Sequence, residues 1–409
     1  MRKSVLCAVV ALAVLALASS ASAGITKGPY LLKATQTGVQ IYYEAGGSGT
    51  CEWGTTPGLG QGINAVYTSL TGMNFCTLTT LAPGTVYYYR ASADGTQATG
   101  TFVTAPAPGA TFNFVVLGDT RTNHDAHQSV IDAVLADDPY GVPDLFFNTG
   151  DLVELAASND QWNDYFAIEK DLLANTVFNP VMGNHDYEVL TYYDRFFPDS
   201  RNYWFKYGNA AFVVLDTELA YGSGSDGYNM VVQALQAAQA DPAIAFKFVF
   251  FHKPGVTTGE HAPDSTIVDE YLDLFEQYNV DVVFNGHNHM YEHGLVNGVH
   301  YVVTGGGGAP LSTTHTLRGW TVYWESTYHF CAVEVAGTTY KVTAYRTDGS
   351  VMDVIFGDAS GGGHAGDTPS DLVPGELCGL AGTGTSDGPI LACLLAAVFA
   401  VVRNRRRRG

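Results

Sequence analysis

Phe284-Asn285-Gly286-His287-Asn288-His289-Met290-Tyr291-Glu292 follows directly on the apolar run Val280-Asp281-Val282-Val283. The run reads as a buried strand, and Gly286 breaks it into a loop. His287 and His289 are thereby presented at the C-terminal edge of a strand, where open α/β sheets place their sites. Imidazole suits Zn, Fe, Mn or Ni, and two on one short loop can serve two ions or two faces of one. Alone, a His-x-His is a weak sign, because many are surface accidents.

Upstream, four more segments run from an apolar strand into a polar tip. They are Phe114-Val115-Val116-Leu117-Gly118-Asp119-Thr120-Arg121, Leu145-Phe146-Phe147-Asn148-Thr149-Gly150-Asp151, Pro180-Val181-Met182-Gly183-Asn184-His185-Asp186 and Phe248-Val249-Phe250-Phe251-His252-Lys253-Pro254. Five strand ends, each with an oxygen or imidazole donor at its tip, make a converging cluster.

This order of motifs resembles the calcineurin-like metallophosphoesterase superfamily over roughly residues 111–356, and as a set the motifs are highly specific. The resemblance implies an α+β fold, an α/β/β/α sandwich, at 106–356. It also implies two divalent or trivalent metal ions (Fe, Mn or Zn), which clamp the attacking and leaving oxygens of an in-line displacement at phosphorus. On that reading Asp119 binds the first ion and Asp151 bridges both. Asn184, His252 and His287 complete the second, and His289 returns to the first. His185 is expected to face the substrate, stabilise phosphoryl oxygens and protonate the leaving oxygen. Asp186 is expected to orient its ring.

Two features favour the purple-acid-phosphatase-like branch. In His252-Lys253-Pro254-Gly255-Val256-Thr257-Thr258-Gly259-Glu260-His261 a second histidine, His261, stands where that branch has a substrate-facing one. Tyr291-Glu292 also fits, although His293 stands where the branch usually has Arg. The first motif departs from the family: Asp119-Thr120-Arg121 replaces the Asp-x-His of many members. Glu154 holds the position of the branch's tyrosine, which puts Fe(III) preference in doubt. Arg121 is always protonated and cannot bind metal, but suits a phosphate oxygen. His124, His127 and Glu154 are the candidates to complete the first ion.

The other favouring feature lies N-terminal to the motifs. Residues 24–105 hold short strands such as 39–43, 74–78 and 86–91 between Gly, Pro and Thr turns, as in a small all-β sandwich. The 81–90 segment resembles the tyrosine corner of fibronectin type III-like domains, which precede the catalytic domain in purple acid phosphatases. Thr104-Ala105-Pro106-Ala107-Pro108-Gly109 is the linker. Helices are expected at 123–136, with Asn123 as cap, and at 160–173, 229–240 and 265–278. Strands are expected at 299–304, 328–335, 339–345 and 350–355. Gly305 to Gly308 either bring backbone close to the site or form a plain loop.

The ends read as signals. Residues 1–23 have the charge, apolar run and small-residue cleavage site of a secretory signal peptide. A Gly-rich linker is expected at 357–377. In 378–409, Cys378, an apolar run and an arginine cluster resemble a rhombosortase- or myxosortase-type sorting tail, and a simple membrane anchor is the alternative. Both readings put the protein outside the cytoplasm, at the surface or secreted, with the tail met by a sorting protease or the membrane.

The 409-residue chain has 20 basic and 40 acidic side chains. Without the two end segments, 13 basic remain against 39 acidic, a net charge of −26. Such a surface repels nucleic acid polymers and leaves a small phosphoester as the expected substrate. Of six cysteines, Cys51 and Cys76 share the β region of an exported protein and are expected to pair, leaving Cys331 alone.

The expected activity is that of an exported phosphoester hydrolase, in which metal-bound hydroxide attacks phosphorus and His185 and His261 assist departure. An acid-phosphatase-like phosphomonoesterase is favoured. The alternatives are a phosphodiesterase on nucleotides or lipid head groups, and a surface-displayed binding protein with a degenerate esterase site. No Gly-x-Ser-x-Gly is present to suggest a serine hydrolase.

Overall fold

The computed structural model describes residues 24–137, 142–187 and 190–359. The expected signal peptide, the sorting tail and all but the start of the Gly-rich linker lie outside them. Two β-sheets stack face to face. One has ten strands and the other seven, with helices on both outer faces, and a separate four-stranded sheet precedes them. This is the expected α/β/β/α sandwich with its small all-β sheet.

The strands that carry the motifs are short, apolar and buried on both faces, as parallel strands between two layers must be. Phe112–Leu117, Leu145–Asn148 and Val177–Pro180 run parallel in the ten-stranded sheet. Ala210–Val214, Phe246–Phe250 and Val282–Asn285 do the same in the seven-stranded sheet. Phenylalanines fill the space between the sheets. Phe147 stacks on Phe250 at 4.0 Å between ring centroids, and Phe114 meets Phe248 edge-on at 5.2 Å. Both geometries suit the ring quadrupole. Outside the larger sheet, Val130, Ile131 and Val134 of one helix pack with Trp162 and Phe166 of the next. Outside the smaller sheet, Val231, Leu235, Ile267 and Phe275 do the equivalent work.

The helix at His124–Asp137 begins as expected, with Asn123 Oδ1 accepting from the Ala126 amide at 3.2 Å. Three helices differ from the sequence reading. The 160–173 run is two helices, Asn159–Ile168 and Lys170–Leu173, parted at Glu169, whose carboxylate turns inward to His127 at 3.0 Å. The 265–278 run breaks at Tyr271 into Ser265–Glu270 and Leu272–Gln277. The third helix starts at Asp226, three residues before Asn229, because Ser225 caps it through the Tyr228 amide. Strands Tyr203–Tyr207 and Ala210–Val214 had no sequence expectation.

The N-terminal β region is divided between sheets. Four of its strands form the separate sheet, Thr50–Gly54, Gln61–Asn64, Val86–Ala93 and Thr96–Val103. The other four extend the ten-stranded sheet, where Lys27–Leu32 lies parallel to Val177–Pro180 with Leu31 opposite Val177. The Tyr89 hydroxyl donates to the Ala174 carbonyl at 2.8 Å, and the Tyr30 hydroxyl to the Phe196 carbonyl at 2.7 Å. Cys51 and Cys76 form the expected disulfide, and Cys331 is a buried free thiol. The Tyr87 hydroxyl accepts from the Ala82 amide at 3.0 Å, within the segment read as a tyrosine corner.

Candidate metal centre

All five strand tips reach one place. Asp119, Asp151 and His252 are buried, and each offers a ligand atom within 4.8 Å of the others. His252 Nε2 lies 3.4 Å from Asp151 Oδ1 and 3.2 Å from Asn184 Oδ1. Its Nδ1 is 2.9 Å from the Thr149 carbonyl, so Nδ1–H donates there and Nε2 faces the cluster. The His287 ring sits 5.0 Å from that of His252, and the His287 amide donates to Asp119 Oδ2 at 2.9 Å.

The backbone is bent to achieve this. Asp119, Asp151 and His287 all have positive φ, at 57°, 55° and 69°. Non-glycine residues adopt that region rarely, and such strain gathers at functional sites. Glycines make the room. A Cβ on Gly150 would meet His252 Nδ1 at 2.6 Å, and one on Gly305 would meet the Asn288 carbonyl at 2.3 Å and Asp119 Oδ2 at 2.8 Å. Of the two readings of the Gly305 to Gly308 run, the structure has the close approach, with the Gly307 amide on the Gly118 carbonyl at 2.9 Å.

Electrostatics follow from the burial of opposite charges. Burial disfavours charge on His252, but the Asp151 and Asp119 carboxylates outweigh it and raise its pKa. Burial would raise Asp151 too, and His252 holds it low instead. Asp119 is pushed up by burial, against the pull of His252. Burial and the charge of His252 lower His287, while burial brings His289 down to about 4. Buried carboxylates, imidazoles and an amide oxygen make a donor set for a borderline divalent ion, which would displace the proton of His252 on binding. The residues present fit one.

The remaining expected residues lie around this triad. His289 Nε2 is 3.6 Å from Asp119 Oδ1, and its Nδ1 lies 2.7 Å from the Pro310 carbonyl. Arg121 reaches in with Nε 3.2 Å from Asp151 Oδ2 and Nη2 3.4 Å from His289 Nε2, and pairs with Glu154. His185 is half-buried; its Nδ1 lies 2.9 Å from the Glu154 carbonyl and its Nε2 3.9 Å from Asp151 Oδ2. His261 stacks on His287 at 4.1 Å. Partial cover of its ring holds its pKa below the ordinary imidazole value.

Asp186 does not orient His185. Its Oδ1 accepts from the Leu152 and Val153 amides and its Oδ2 from Gly183, so it ties the Asp151 loop to the Asn184 loop. A buried carboxylate at the start of a short helix finds backbone amides before it finds a neighbouring ring. Neither helix histidine completes the first ion's ligands. His127 is buried on Glu169, and His124 lies 3.7 Å from Asp164. His293 serves elsewhere, 2.8 Å from Asp353.

Sequence reasoning missed Asn288 and the work of Glu292. Asn288 Oδ1 accepts from the His261 amide at 2.8 Å, and its Nδ2 donates to the His261 carbonyl at 3.0 Å. Glu292 accepts from Thr257 and Thr258. Together they fix the loop that carries His261. The signal was present: Asn288 lies between the two histidines, and alternation turns it to the other side of the chain.

Comparison with known proteins agrees. Residues 112–291 match the family described as calcineurin-like phosphoesterase. Over those residues the chain is similar to calcineurin-like phosphoesterases. An uncharacterized protein of Mycobacterium tuberculosis is 29% identical over 267 residues, covering 54% of this chain and 50% of its own. A nucleotide pyrophosphatase/phosphodiesterase of Hordeum vulgare is 23% identical over 261 residues, 51% of this chain and 70% of its own. The chain thus spans about half the length of the mycobacterial relative. Among solved structures, the purple acid phosphatase PPD1 of yellow lupin has a TM-score of 0.69 at 19% identity, over 82% of this chain and 74% of its own. That likeness shows a shared fold. The matched segment holds every metal-ligand candidate, while strand Lys27–Leu32 reaches its sheet from outside it.

Proposed function

We propose that the protein is an exported, metal-dependent phosphoester hydrolase acting on small phosphomonoesters. The observation that carries this reading is the convergence of Asp119, Asp151 and His252, with Asn184 and His287, beneath two further imidazoles. An ion held there supplies Lewis acidity, drawing charge from a phosphoryl oxygen and making water a better nucleophile near neutral pH. The chain's own residues do the rest. Arg121 brings a permanent positive charge to the carboxylate cluster and offers donors to phosphoryl oxygens. His185 has its Nδ1 committed to the Glu154 carbonyl, so Nε2 is the atom that takes or gives a proton at the ester oxygen. His261 stacks on His287 and so stands beside the cluster.

A phosphodiesterase is the second reading, and the likeness to the Hordeum vulgare nucleotide pyrophosphatase/phosphodiesterase favours it. The chromogenic monoester p-nitrophenyl phosphate and its bis-ester separate the two. Activity confined to the monoester, lost on chelation and restored by Mn, Zn or Fe, is the expected result. Faster turnover of the bis-ester favours the diesterase. No turnover of either, whatever metal is added, would leave a binding protein with a degenerate site. The disulfide fits an oxidising compartment, which supports export, as the expected signal peptide does.

A further inference from the structure

The donor set expected for two ions is divided unequally. Asp119, Asp151 and His252 bring their ligand atoms together. Asn184 joins them through His252, and His287 lies against the same ring. Asp119, expected at the first ion, falls in that triad, and the donors left for the first ion, Asp151 Oδ2, His289 Nε2 and Glu154, each face a different nitrogen of Arg121. Nε lies 3.2 Å from Asp151 Oδ2, Nη2 lies 3.4 Å from His289 Nε2, and Nη1 pairs with Glu154 Oε2. We infer that the Arg121 guanidinium takes the place of the first metal ion, so that this centre holds one ion and one fixed organic cation.

Three observations make that arrangement a built one. His289 Nδ1 is committed to the Pro310 carbonyl, which turns the Nε2 lone pair toward Nη2. Glu154 is gripped twice, by Arg121 and by the Thr122 hydroxyl at 2.7 Å, so the carboxylate at the tyrosine position is engaged on the arginine. The arginine side chain is itself mostly covered, with 13% exposed. Charge points the same way. Asp119, Asp151 and Glu154 carry three negative charges, which one divalent ion and one guanidinium balance. A second divalent ion would sit against a guanidinium that cannot lose its proton. Histidine at the same place would be a neutral ligand.

The inference rests on the metal-dependent reading above and deepens it. Its test is the metal count, together with the electron paramagnetic resonance of the full-length chain loaded with Mn(II) and freed of excess ion. Wild type is expected to hold about one Mn per chain with the signal of an isolated ion, and Arg121→His about two with an exchange-coupled signal. About two ions in wild type, with coupling, overturns the inference and leaves the hydrolase reading standing. A single ion in a folded Arg121→His also overturns it, since removing the guanidinium should open the place. No bound ion in wild type overturns both. The wild-type measurement decides even where the variant fails to fold, and Arg121→Lys, which keeps a cation without the fork, is expected to stay at one ion.

Discussion

Three of the ligand candidates lie in the left-handed backbone region, and that fact governs what single residues do here. Asp119, Asp151 and His287 hold positions that their side chains disfavour, so neighbours must over-determine them. Asp186 is such a neighbour, tying the loop after Asp151 to Gly183. Asn288→Ala is expected to lower turnover by about 10-fold while leaving the metal content unchanged, because it frees the His261 loop and touches no ligand atom. Paired kinetics and elemental analysis check this, and loss of metal along with activity would contradict it. Acid also acts on this scale. His252 and Asp119 both have raised pKa values in the metal-free chain, so below those values a proton occupies what an ion must claim. Apparent affinity therefore weakens as the pH is lowered. With His252 raised to about 10 and protonated throughout, Asp119 at about 7 sets the window, and calorimetry in buffers of different ionisation enthalpy should show proton release growing from about pH 8 to about pH 6. Release that shrinks on acidification would contradict the assignment. The convergence of the candidates was legible in the sequence, since Asp119, Asp151, Asn184 and His287 each follow an apolar run and a glycine, and His252 follows its apolar run directly. The sequence did not disclose Arg121's three partners or Asp186's direction, because side-chain aim in a tight, strained loop depends on segments far along the chain.

Elements bring the tips together, and close backbone approach sets their tolerance. Gly305→Ala is expected to cost about 1–3 kcal/mol and to weaken metal binding, since its Cβ would strike a backbone carbonyl and a ligand carboxylate. A melting curve and a metal titration on one preparation check both halves. Between the two sheets, Arg346 grips Glu325 with Nε–Oε1 at 2.7 Å and Nη2–Oε2 at 2.6 Å. The arginine's hydrogen bonds hold the Glu325 pKa below the ordinary value. A lowered carboxyl pKa stabilises the fold above the unfolded-state value, and the benefit disappears as pH falls through the folded one. Glu325→Gln should thus lose about 1 kcal/mol or less at neutral pH and nothing once the pH lies below the folded-state pKa, as denaturant melts taken down through the acid range will show. The layer order was readable from strand–helix alternation. The helix breaks were not: Glu169 leaves its helix for a partner 42 residues away, which no local periodicity records.

For the whole molecule, the joined sheet matters most. Strand Lys27–Leu32 lies in the same sheet as strands of the phosphoesterase-like region, and one apolar core runs from Tyr43 and Phe102 to Phe114 and Phe212. We expect calorimetry of the folded chain to show a single unfolding transition; two resolved peaks would mean that the N-terminal β region melts by itself. Sequence placed a Pro-rich linker between the regions and gave no sign of the pairing across it, because one register pair, Leu31 with Val177, carries no motif.

That pairing bears on how such proteins can be rearranged. The strand ending at Pro180, just before Gly183, Asn184 and His185, is braced on one flank by Leu145–Asn148 and on the other by the chain's first described strand. Exchanging the leading module for that of a relative would therefore replace the strand that flanks Val177–Pro180. A chimaera joined in the Pro-rich segment would inherit an ill-fitting neighbour beside Val177, on the strand that leads to Asn184, whereas grafting the loops at the strand tips would leave that buttress intact.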